Sequence, residues 1–234
     1  MQSVITKPLR NRLLAALSGS DAALLTPHLV LVDLEKHQIL IEPGEEMQFC
    51  WFIEAGIASI VAGTLRGDQT EVGLVGCDGM VDVAVLHTLN HSSLRVFVQA
   101  AGQAYRIQIA AIQGALQRSE TLRSELLRYS HALLVQVSST TLANASCTLE
   151  ERLARWLLMY HDRSDGDDLF MTHEILSLML NVRRAGVSLT LKSLQTRSIL
   201  SSRRGVIAIT DRLALEKIAG DGYGVAEKLS ASSA

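Results

Sequence analysis

The chain has 234 residues, of which 48% are hydrophobic and 20% charged, and its formal net charge is −2. This size and composition predict a globular protein with one large or two modest cores, and the charge argues against polyanion binding over the whole surface. The charge is unevenly spread, because residues 172–234 hold nine Lys and Arg against five Asp and Glu, which leaves −6 for the rest. A basic C-terminal module on an acidic body is typical of a regulator that touches nucleic acid at one end.

Three cysteines, Cys50, Cys77 and Cys147, are widely spaced and include no CxxC pair. The pattern predicts neither a disulfide framework nor a clustered metal site, so a reducing cytoplasm is the expected compartment. No apolar run has the length of a membrane span or a secretion signal, and we expect a soluble protein. Redox sensing by Cys50 or Cys77 stays open beside the commoner role of buried, inert thiols.

In chain order, the sequence changes from helical to strand-like and back to helical. Leucines at helical spacing predict short helices over residues 9–25. Short β-rich runs separated by glycines then predict a small β-roll up to Gln108, and helical periodicity returns at Ala110. We therefore predict an α+β protein with a β-roll domain (1–109), a dimerisation helix with a hinge (110–147) and a DNA-binding domain (148–234), here called the reader domain.

A stripe of apolar residues marks the helix after Ala110, at alternating steps of about four and three residues. This spacing predicts a seam that pairs with the same helix of a second subunit. The alternative is that the stripe packs on its own β-roll. This alternative is the less favoured one, because Leu127 and Leu134 supply a second apolar face that could pack on the roll in place of the stripe. One face would then point inward and the other would meet the second subunit. The predicted dimerisation residues are Leu122, Leu126, Tyr129, Leu133 and Val137.

The end of this helix is rich in Ser and Thr over residues 137–148. These side chains compete for backbone hydrogen bonds and weaken a helix interior, so we predict the interdomain hinge here. Thr148 and Glu151 then fit a capping box at the start of the next helix. The acidic run 162–168 is interpreted as a solvated loop rather than a metal site.

The segment Thr172–Leu194 contains two short amphipathic periodicities that meet at Asn181. This arrangement predicts a helix-turn-helix, since asparagine tolerates the positive φ that such a turn requires. Two arginines open the second helix, at the end that enters a major groove. The residues expected on its DNA-facing side are Arg183, Arg184, Ser188 and Lys192.

Arg203 and Arg204 precede Gly205 between two β-rich runs, which predicts a hairpin, or wing, behind the two helices. Its arginines would meet phosphates and add affinity without sequence information. Any one of these arginines taken alone is also compatible with an ordinary solvated surface charge. The set as a whole favours DNA binding, because spacing and context agree at several points.

His87 and His91 lie four residues apart and would share a face if this segment were helical, with Cys77 or Asp82 nearby. A metal or haem ligand pair is therefore one interpretation. The surrounding residues are typical of a loop, however, and we favour polar loop residues over a ligand pair. No metal site is predicted.

These residues resemble the Crp/Fnr transcription regulators, in which a cyclic-nucleotide-binding-like β-roll (a jelly roll), a long dimerisation helix and a winged helix-turn-helix follow in this order. The resemblance covers nearly the whole chain. It implies a homodimer that reads a palindromic operator with half-sites about one helical turn apart. The register adds Thr172, Ala185 and Leu189 to the DNA-facing positions. The matching segments are ILIEPGEE (39–46), CWFIEAGIASI (50–60), VGCDGMVDVAVL (75–86), VFVQAAGQAYRI (96–107), residues 171–200 and the RRG of the wing.

The chain departs from this family where cyclic nucleotides are bound. Members that bind them place a glutamate on the ribose and an arginine on the phosphate, and here Val83 and Leu94 stand at those positions. Arg95 is one position along a strand, so it turns to the opposite face. We therefore predict that the usual binding of cAMP is lost, and clustered N-terminal cysteines for an iron-sulfur cluster are missing as well. The effector pocket implied by the resemblance comprises Gly79, Asp82, Val83, Leu94 and Arg95, and the effector is unknown.

Ala185 and Leu189 stand where well-studied members carry a glutamate and an arginine, which predicts a different operator. We expect no resident cofactor and no enzymatic activity, because no nucleophile motif, phosphate loop or metal-ligand set is present. The expected partners are double-stranded DNA and a second copy of the chain, with RNA polymerase as a further candidate and no membrane. The alternative is a constitutive DNA-binding protein whose β-roll is only a dimerisation scaffold.

Overall fold

A computed structural model of the protein describes residues 8–64, 66, 69–81, 83–225 and 228. The described part begins with two short helices, α1 (Arg12–Ala16) and α2 (Gly19–Leu25), and a 3-10 turn over Thr26–His28. Asn11 caps α1, and its buried side-chain amide donates to the carbonyl oxygens of Ile53 and Gly79. The N-terminal helices are thereby fixed to the wall of the sheet that follows.

Six strands among the described residues form the predicted roll, and their pairing confirms the α+β fold class. The sheet order is β1-β6-β3-β4, with β2 paired to β6 and β5 paired to β3, and every pair is antiparallel. The ladder between the two longest strands, β3 and β6, shifts register between Ile53 and Ala58, and such irregularities bend a sheet. The strands are β1 (Val30–Leu34), β2 (Ile39–Ile41), β3 (Phe49–Gly63), β4 (Gln69–Val75), β5 (Met80–Val81) and β6 (Arg95–Gln108).

Two helices follow the roll where the sequence predicts one. The first is α3 (Ile109–Arg118), and the second is α4 (Glu120–Ser146), which spans 27 residues. Ser119 separates them with an extended backbone, and its hydroxyl caps α4 by accepting from the amide of Leu122. The same hydroxyl donates to Asp21 of α2 at 2.5 Å, so the break between α3 and α4 is tied to the N-terminal helices.

The predicted dimerisation stripe on α4 faces the roll of its own chain. Four of its five residues are buried in the core of the chain's own roll, and the fifth, Val137, is half-buried next to Gly73 of β4. The prediction that this stripe pairs with a second subunit is therefore wrong, and the alternative holds. The physical reason is that α4 has two apolar faces, and the roll covers the larger one. The four buried residues are Leu122, Leu126, Tyr129 and Leu133.

The Ser/Thr-rich end of α4 is helical, in contrast to the hinge predicted over 137–148. The hydroxyls of Ser138, Thr140, Thr141 and Ser146 each donate to the carbonyl four residues earlier, so they are satisfied within the helix. The chain turns instead at Cys147, whose backbone is extended between α4 and the next helix. The change of direction thus takes two residues with extended backbone, Cys147 and Thr148, rather than a weakened segment.

The reader domain begins with α5 (Leu149–His161), and the predicted capping box is confirmed by the reciprocal contacts of Thr148 and Glu151. Its core gathers apolar side chains from α5, the two helices of the motif and a three-stranded sheet of order β7-β9-β8. The remaining elements are β7 (Asp168–Leu169), α6 (His173–Met179), α7 (Arg184–Thr196), β8 (Leu200–Arg203), β9 (Val206–Ile209) and α8 (Arg212–Ala219).

The reader domain is packed directly against the roll. Ile57 of β3 and Leu74 of β4 belong to the same buried apolar cluster as α5 and α6 of the reader domain. Polar contacts cross the same boundary, including a buried ion pair in which Arg163 lies 2.7 Å from Asp78. The first and third predicted segments, the roll and the reader domain, are thus in direct contact. The division of the chain into three segments remains a prediction. Among the described residues, no helix is both long enough and apolar enough to cross a membrane.

Candidate nucleic-acid interface

The turn between α6 and α7 is built as the sequence predicts. Asn181 has φ +49°, which confirms the positive φ expected at this position. The amide of Val182 donates to the carbonyl of Ser177 and the amide of Asn181 to that of Leu178, so α6 ends in a Schellman motif. Two of the last carbonyls of α6 are satisfied in this way, and α7 begins three residues after Asn181 at a fixed angle.

A third helix, α5, contacts this turn through one side chain. The guanidinium of Arg152 on α5 donates through Nη2 to the carbonyl oxygen of Leu180. Its Nε donates to Asn144 Oδ1 at 3.0 Å, close to the end of α4. One side chain therefore connects the long helix α4, the first helix of the reader domain and the turn that positions α7.

The recognition helix α7 buries one side and presents the other to solvent. Val187, Leu191 and Leu194 are fully buried against α5 and α6. The opposite side is an exposed ridge at helical spacing, here called the outer ridge. Arg183 and Arg184 are exposed at the N-terminal end of α7, next to this ridge. The outer ridge consists of Ala185, Leu189, Lys192 and Thr196.

Ser188 lies elsewhere than predicted. Its hydroxyl is hydrogen-bonded to Nδ1 of His173 at 2.9 Å, and the side chain is half-buried between α6 and α7. The sequence spacing from Arg184 placed it on the DNA-facing side, but at 100° per residue Ser188 lies about 70° around the helix from the mean direction of the outer ridge, on the side of α6. Ser188 therefore joins the two helices of the motif instead of standing on the ridge.

Thr172, another predicted contact, is exposed and caps α6. Its hydroxyl accepts from the amide of Ile175 at 3.2 Å, which is the usual role of a threonine at this position. The side chain thus has a structural function that the sequence reasoning did not assign to it.

The predicted wing is a hairpin of β8 and β9 with Arg204 and Gly205 at its tip. Gly205 has φ +77°, a conformation that glycine adopts without strain. Arg203 and Arg204 are exposed, and Arg203 makes an ion pair with Asp168 of β7 at 2.9 Å, across the three-stranded sheet. Exposed ion pairs contribute little to stability, so Arg203 can exchange Asp168 for another anion at small cost.

The comparison with known proteins agrees with this geometry. Residues 151–218 match the model of the Crp-like helix-turn-helix domain. These residues belong to the Crp-like helix-turn-helix family. The match spans α5, the motif, the wing and most of α8, so it includes every predicted DNA contact. A search of curated proteins found no match to the chain.

Solved structures share the fold of the whole chain at low sequence identity. A regulator of the Crp/Fnr family from Eubacterium rectale has 16% identity and a TM-score of 0.69, with 90% of this chain and 98% of that chain covered. FixK2 from Bradyrhizobium japonicum has 15% identity and a TM-score of 0.69, covering 81% and 96%. A CooA mutant from Carboxydothermus hydrogenoformans has 15% identity and a TM-score of 0.63, covering 94% and 99%. Together with the Crp-like domain, this fold confirms the resemblance to Crp/Fnr transcription regulators.

In this Crp/Fnr-type roll, the predicted effector positions are occupied by packing contacts. A Cβ atom on Gly79 would lie 2.2 Å from the hydroxyl of Tyr129, so this glycine leaves room for α4. Val83 and Leu94 pack against the apolar core of the roll. Asp82, the remaining predicted residue on this loop, lies outside the described residues.

Arg95 points away from Leu94, as the strand alternation predicts, and its guanidinium forms an ion pair with Glu42. His87 and His91 contact different partners: His87 lies 3.3 Å from Ser130 Oγ and His91 lies 2.7 Å from Asn90 Oδ1. Within the described part of the chain, no group of three or more His, Cys, Asp or Glu side chains is arranged to hold a metal ion.

The sequence reasoning missed the polar contacts between the Crp-like domain and the roll. Trp156 Nε1 donates to Glu71 Oε1 at 2.5 Å, and both side chains are buried. Next to them, Ser59 Oγ donates to Gln99 Oε1 at 2.6 Å, while Gln99 Nε2 is buried without a partner among the described residues. The signal that could have indicated a buried carboxyl is Glu71, the one charged residue of the strand QTEVGLV.

Proposed function

We propose that the chain is a homodimeric transcription regulator that binds a palindromic operator with sequence specificity. The observation that carries this proposal is the exposed N-terminal half of α7, where two arginines flank the outer ridge and the wing adds two more. A helix of this kind fits a major groove, and the wing lies where phosphates pass. Half-sites about one helical turn apart follow from a two-fold axis between the two recognition helices.

The dimer that we propose uses the exposed face of α4, opposite to the buried stripe. Leu134 is 60% exposed and Leu127 is 36% exposed, although both are leucines in the middle of a long helix. They belong to a row of exposed residues with steps of four and three, the spacing of a two-stranded coiled coil. The small residues at its C-terminal end allow the two helices to approach closely. The row is Leu127, His131, Leu134, Ser138, Thr141 and Ala145.

We propose further that the roll does not bind cyclic nucleotides in the usual way. A buried cyclic phosphate requires a cation or a set of amide donors, and Leu94 supplies neither. The neighbouring Arg95 is already paired with Glu42 on the other face, and Gly79 is covered by Tyr129. A thermal-shift titration tests this point. Stabilisation of the protein by micromolar cAMP or cGMP contradicts it.

A ligand-independent DNA-binding protein is the second candidate, favoured by the contacts that fill the effector positions. The two candidates differ in one measurement. Protein purified without added ligand that binds its operator with nanomolar affinity supports the constitutive form, and affinity that appears only with a cell extract or metabolite supports a sensor.

The DNA-binding proposal is tested by selecting operators from a random duplex pool and measuring their affinity by fluorescence anisotropy. Arg184→Ala is expected to weaken binding about 10- to 100-fold, since one base contact contributes about 1–3 kcal/mol. Arg118→Ala, an exposed arginine on α3, is the matched control and is expected to leave binding unchanged. Recovery of no preferred sequence from the pool contradicts the proposal.

A further inference from the structure

The outer ridge of α7 has an unusual composition at the end that enters the groove. Its N-terminal half is apolar, with Ala185 followed four residues later by Leu189, which is 71% exposed. The core of the motif is already closed by Val187, Leu191 and Leu194 on the opposite side. Leu189 is therefore not needed to close the core of the domain, and its side chain lies on the outer ridge, where it is available to a partner outside the chain.

The charges around Leu189 identify the chemistry of that partner. Arg183 and Arg184 stand at the start of the helix, and Lys192 stands one turn beyond Leu189 on the same ridge. An apolar protein surface would have to bury these cations without counter-charges, at considerable cost. A nucleic acid supplies phosphates for the cations, and the one apolar group on the edges of the major groove is the 5-methyl group of thymine.

We propose that Leu189, with Ala185 beside it, reads thymine through the 5-methyl group, so that each half-site contains a thymine under the middle of α7. This inference rests on the proposed DNA-binding function and deepens it. Leu189 follows Arg184 by five residues, an advance of roughly 7.5 Å along the axis, close to two base-pair steps of about 3.4 Å. The thymine should therefore lie within about two base pairs of the base that Arg184 contacts.

The experiment uses the full-length protein and a selected operator in which each thymine is replaced, one at a time, by deoxyuridine. Replacement removes the methyl group and keeps every hydrogen-bonding atom of the base pair. At one symmetry-related pair of positions we expect affinity to fall about fourfold for each half-site, the value for one buried methyl group. The loss should be the same at low and high salt, because no phosphate contact is involved.

Leu189→Ala is expected to bind the thymine and deoxyuridine operators with equal affinity, both weaker than wild type. Leu178→Ala is the matched control, an exposed leucine on α6 outside the outer ridge, and should keep the full preference for thymine. Circular dichroism and thermal unfolding confirm that both variants fold. 5-Bromodeoxyuridine, whose bromine is close to a methyl group in size, is expected to restore affinity.

The outcomes separate the inference from the function on which it rests. If no operator is selected at all, the DNA-binding proposal fails. If an operator is selected and deoxyuridine has no effect at any position, or if Leu189→Ala keeps the preference for thymine, DNA binding stands and the methyl-reading role of Leu189 is wrong.

Discussion

The indole nitrogen of Trp156 and the carboxyl group of Glu71 meet 2.5 Å apart at the boundary between the reader domain and the roll. Both are buried, and Glu71 Oε2 has no hydrogen-bond partner among the described residues. Burial raises the pKa of Glu71 to about 7, although the nearby Ser59 hydroxyl, the hydrogen bond from Trp156 and the charges of Arg155 and Arg163 act in the opposite direction. The folded state therefore favours the protonated form of this carboxyl.

This raised pKa predicts that stability falls as pH rises. The ordinary pKa of a glutamate is 4.5, so between pH 4.5 and about 7 the folded state holds a proton that the unfolded state has lost. Glu71→Gln removes this dependence. Relative to wild type, the variant should gain about 3 kcal/mol in its free energy of unfolding between pH 4.5 and pH 8, measured by urea titration. An equal pH dependence in both proteins contradicts a buried, neutral Glu71.

Gly79 is expected to tolerate no side chain, because Tyr129 occupies the space. The Tyr129 hydroxyl donates to the carbonyl of Met80 at 3.0 Å, which fixes the ring against β5. Gly79→Ala should cost about 1–3 kcal/mol of stability as α4 is forced away from the roll. Gly114→Ala is the control, since open space surrounds its Cβ position on α3 and alanine favours a helix by about 0.5–1 kcal/mol. Equal effects of the two substitutions would show that Gly79 is not tightly packed.

The exposed face of α4 predicts the effect of a charge at the dimer seam. Leu134→Glu places two carboxylates opposite each other in the proposed dimer and removes two buried leucines, a loss of about 3 kcal/mol or more. Analytical ultracentrifugation should show at least 100-fold weaker dimerisation with an unchanged circular dichroism spectrum. Leu213→Glu, on an exposed leucine of α8, should leave the dimer intact. If Leu134→Glu dimerises as tightly as wild type, the dimer interface lies on another surface.

The positive φ of Asn181 predicts that glycine and a β-branched residue at this position affect stability differently. Glycine accepts φ +49° freely, so Asn181→Gly should keep both stability and DNA affinity. A β-branched side chain does not, and Asn181→Val should cost about 1–2 kcal/mol and shift α7 relative to α6. Thermal unfolding and operator affinity are the two readouts. If valine is tolerated as well as glycine, the left-handed turn is not required.

Much of the molecule could be predicted because its signals are local. The glycine-separated strands of the roll, the capping box of Thr148 and Glu151 and the turn at Asn181 each depend on a few neighbouring residues. The same holds for Arg183 and Arg184 at the start of α7 and for the wing arginines. Backbone propensity and helix capping act over one or two turns, so a short stretch of sequence is sufficient to specify them.

Only the tertiary structure decided which of the two apolar faces of α4 packs on the roll. Leu126 and Leu134 are both leucines on one helix, and periodicity alone showed two apolar faces without showing which one the roll would cover. Ser188 was placed on the DNA-facing side by spacing, but its contact with His173 depends on how α6 crosses α7.

The helix-turn-helix and its basic character were therefore determined by the sequence alone. The pairing of Trp156 with Glu71, 85 residues apart, depends on how the reader domain packs on β4. So does the burial of Tyr129 against Gly79. Periodicity reports that a face is apolar, and only the packed structure decides which partner removes that face from water.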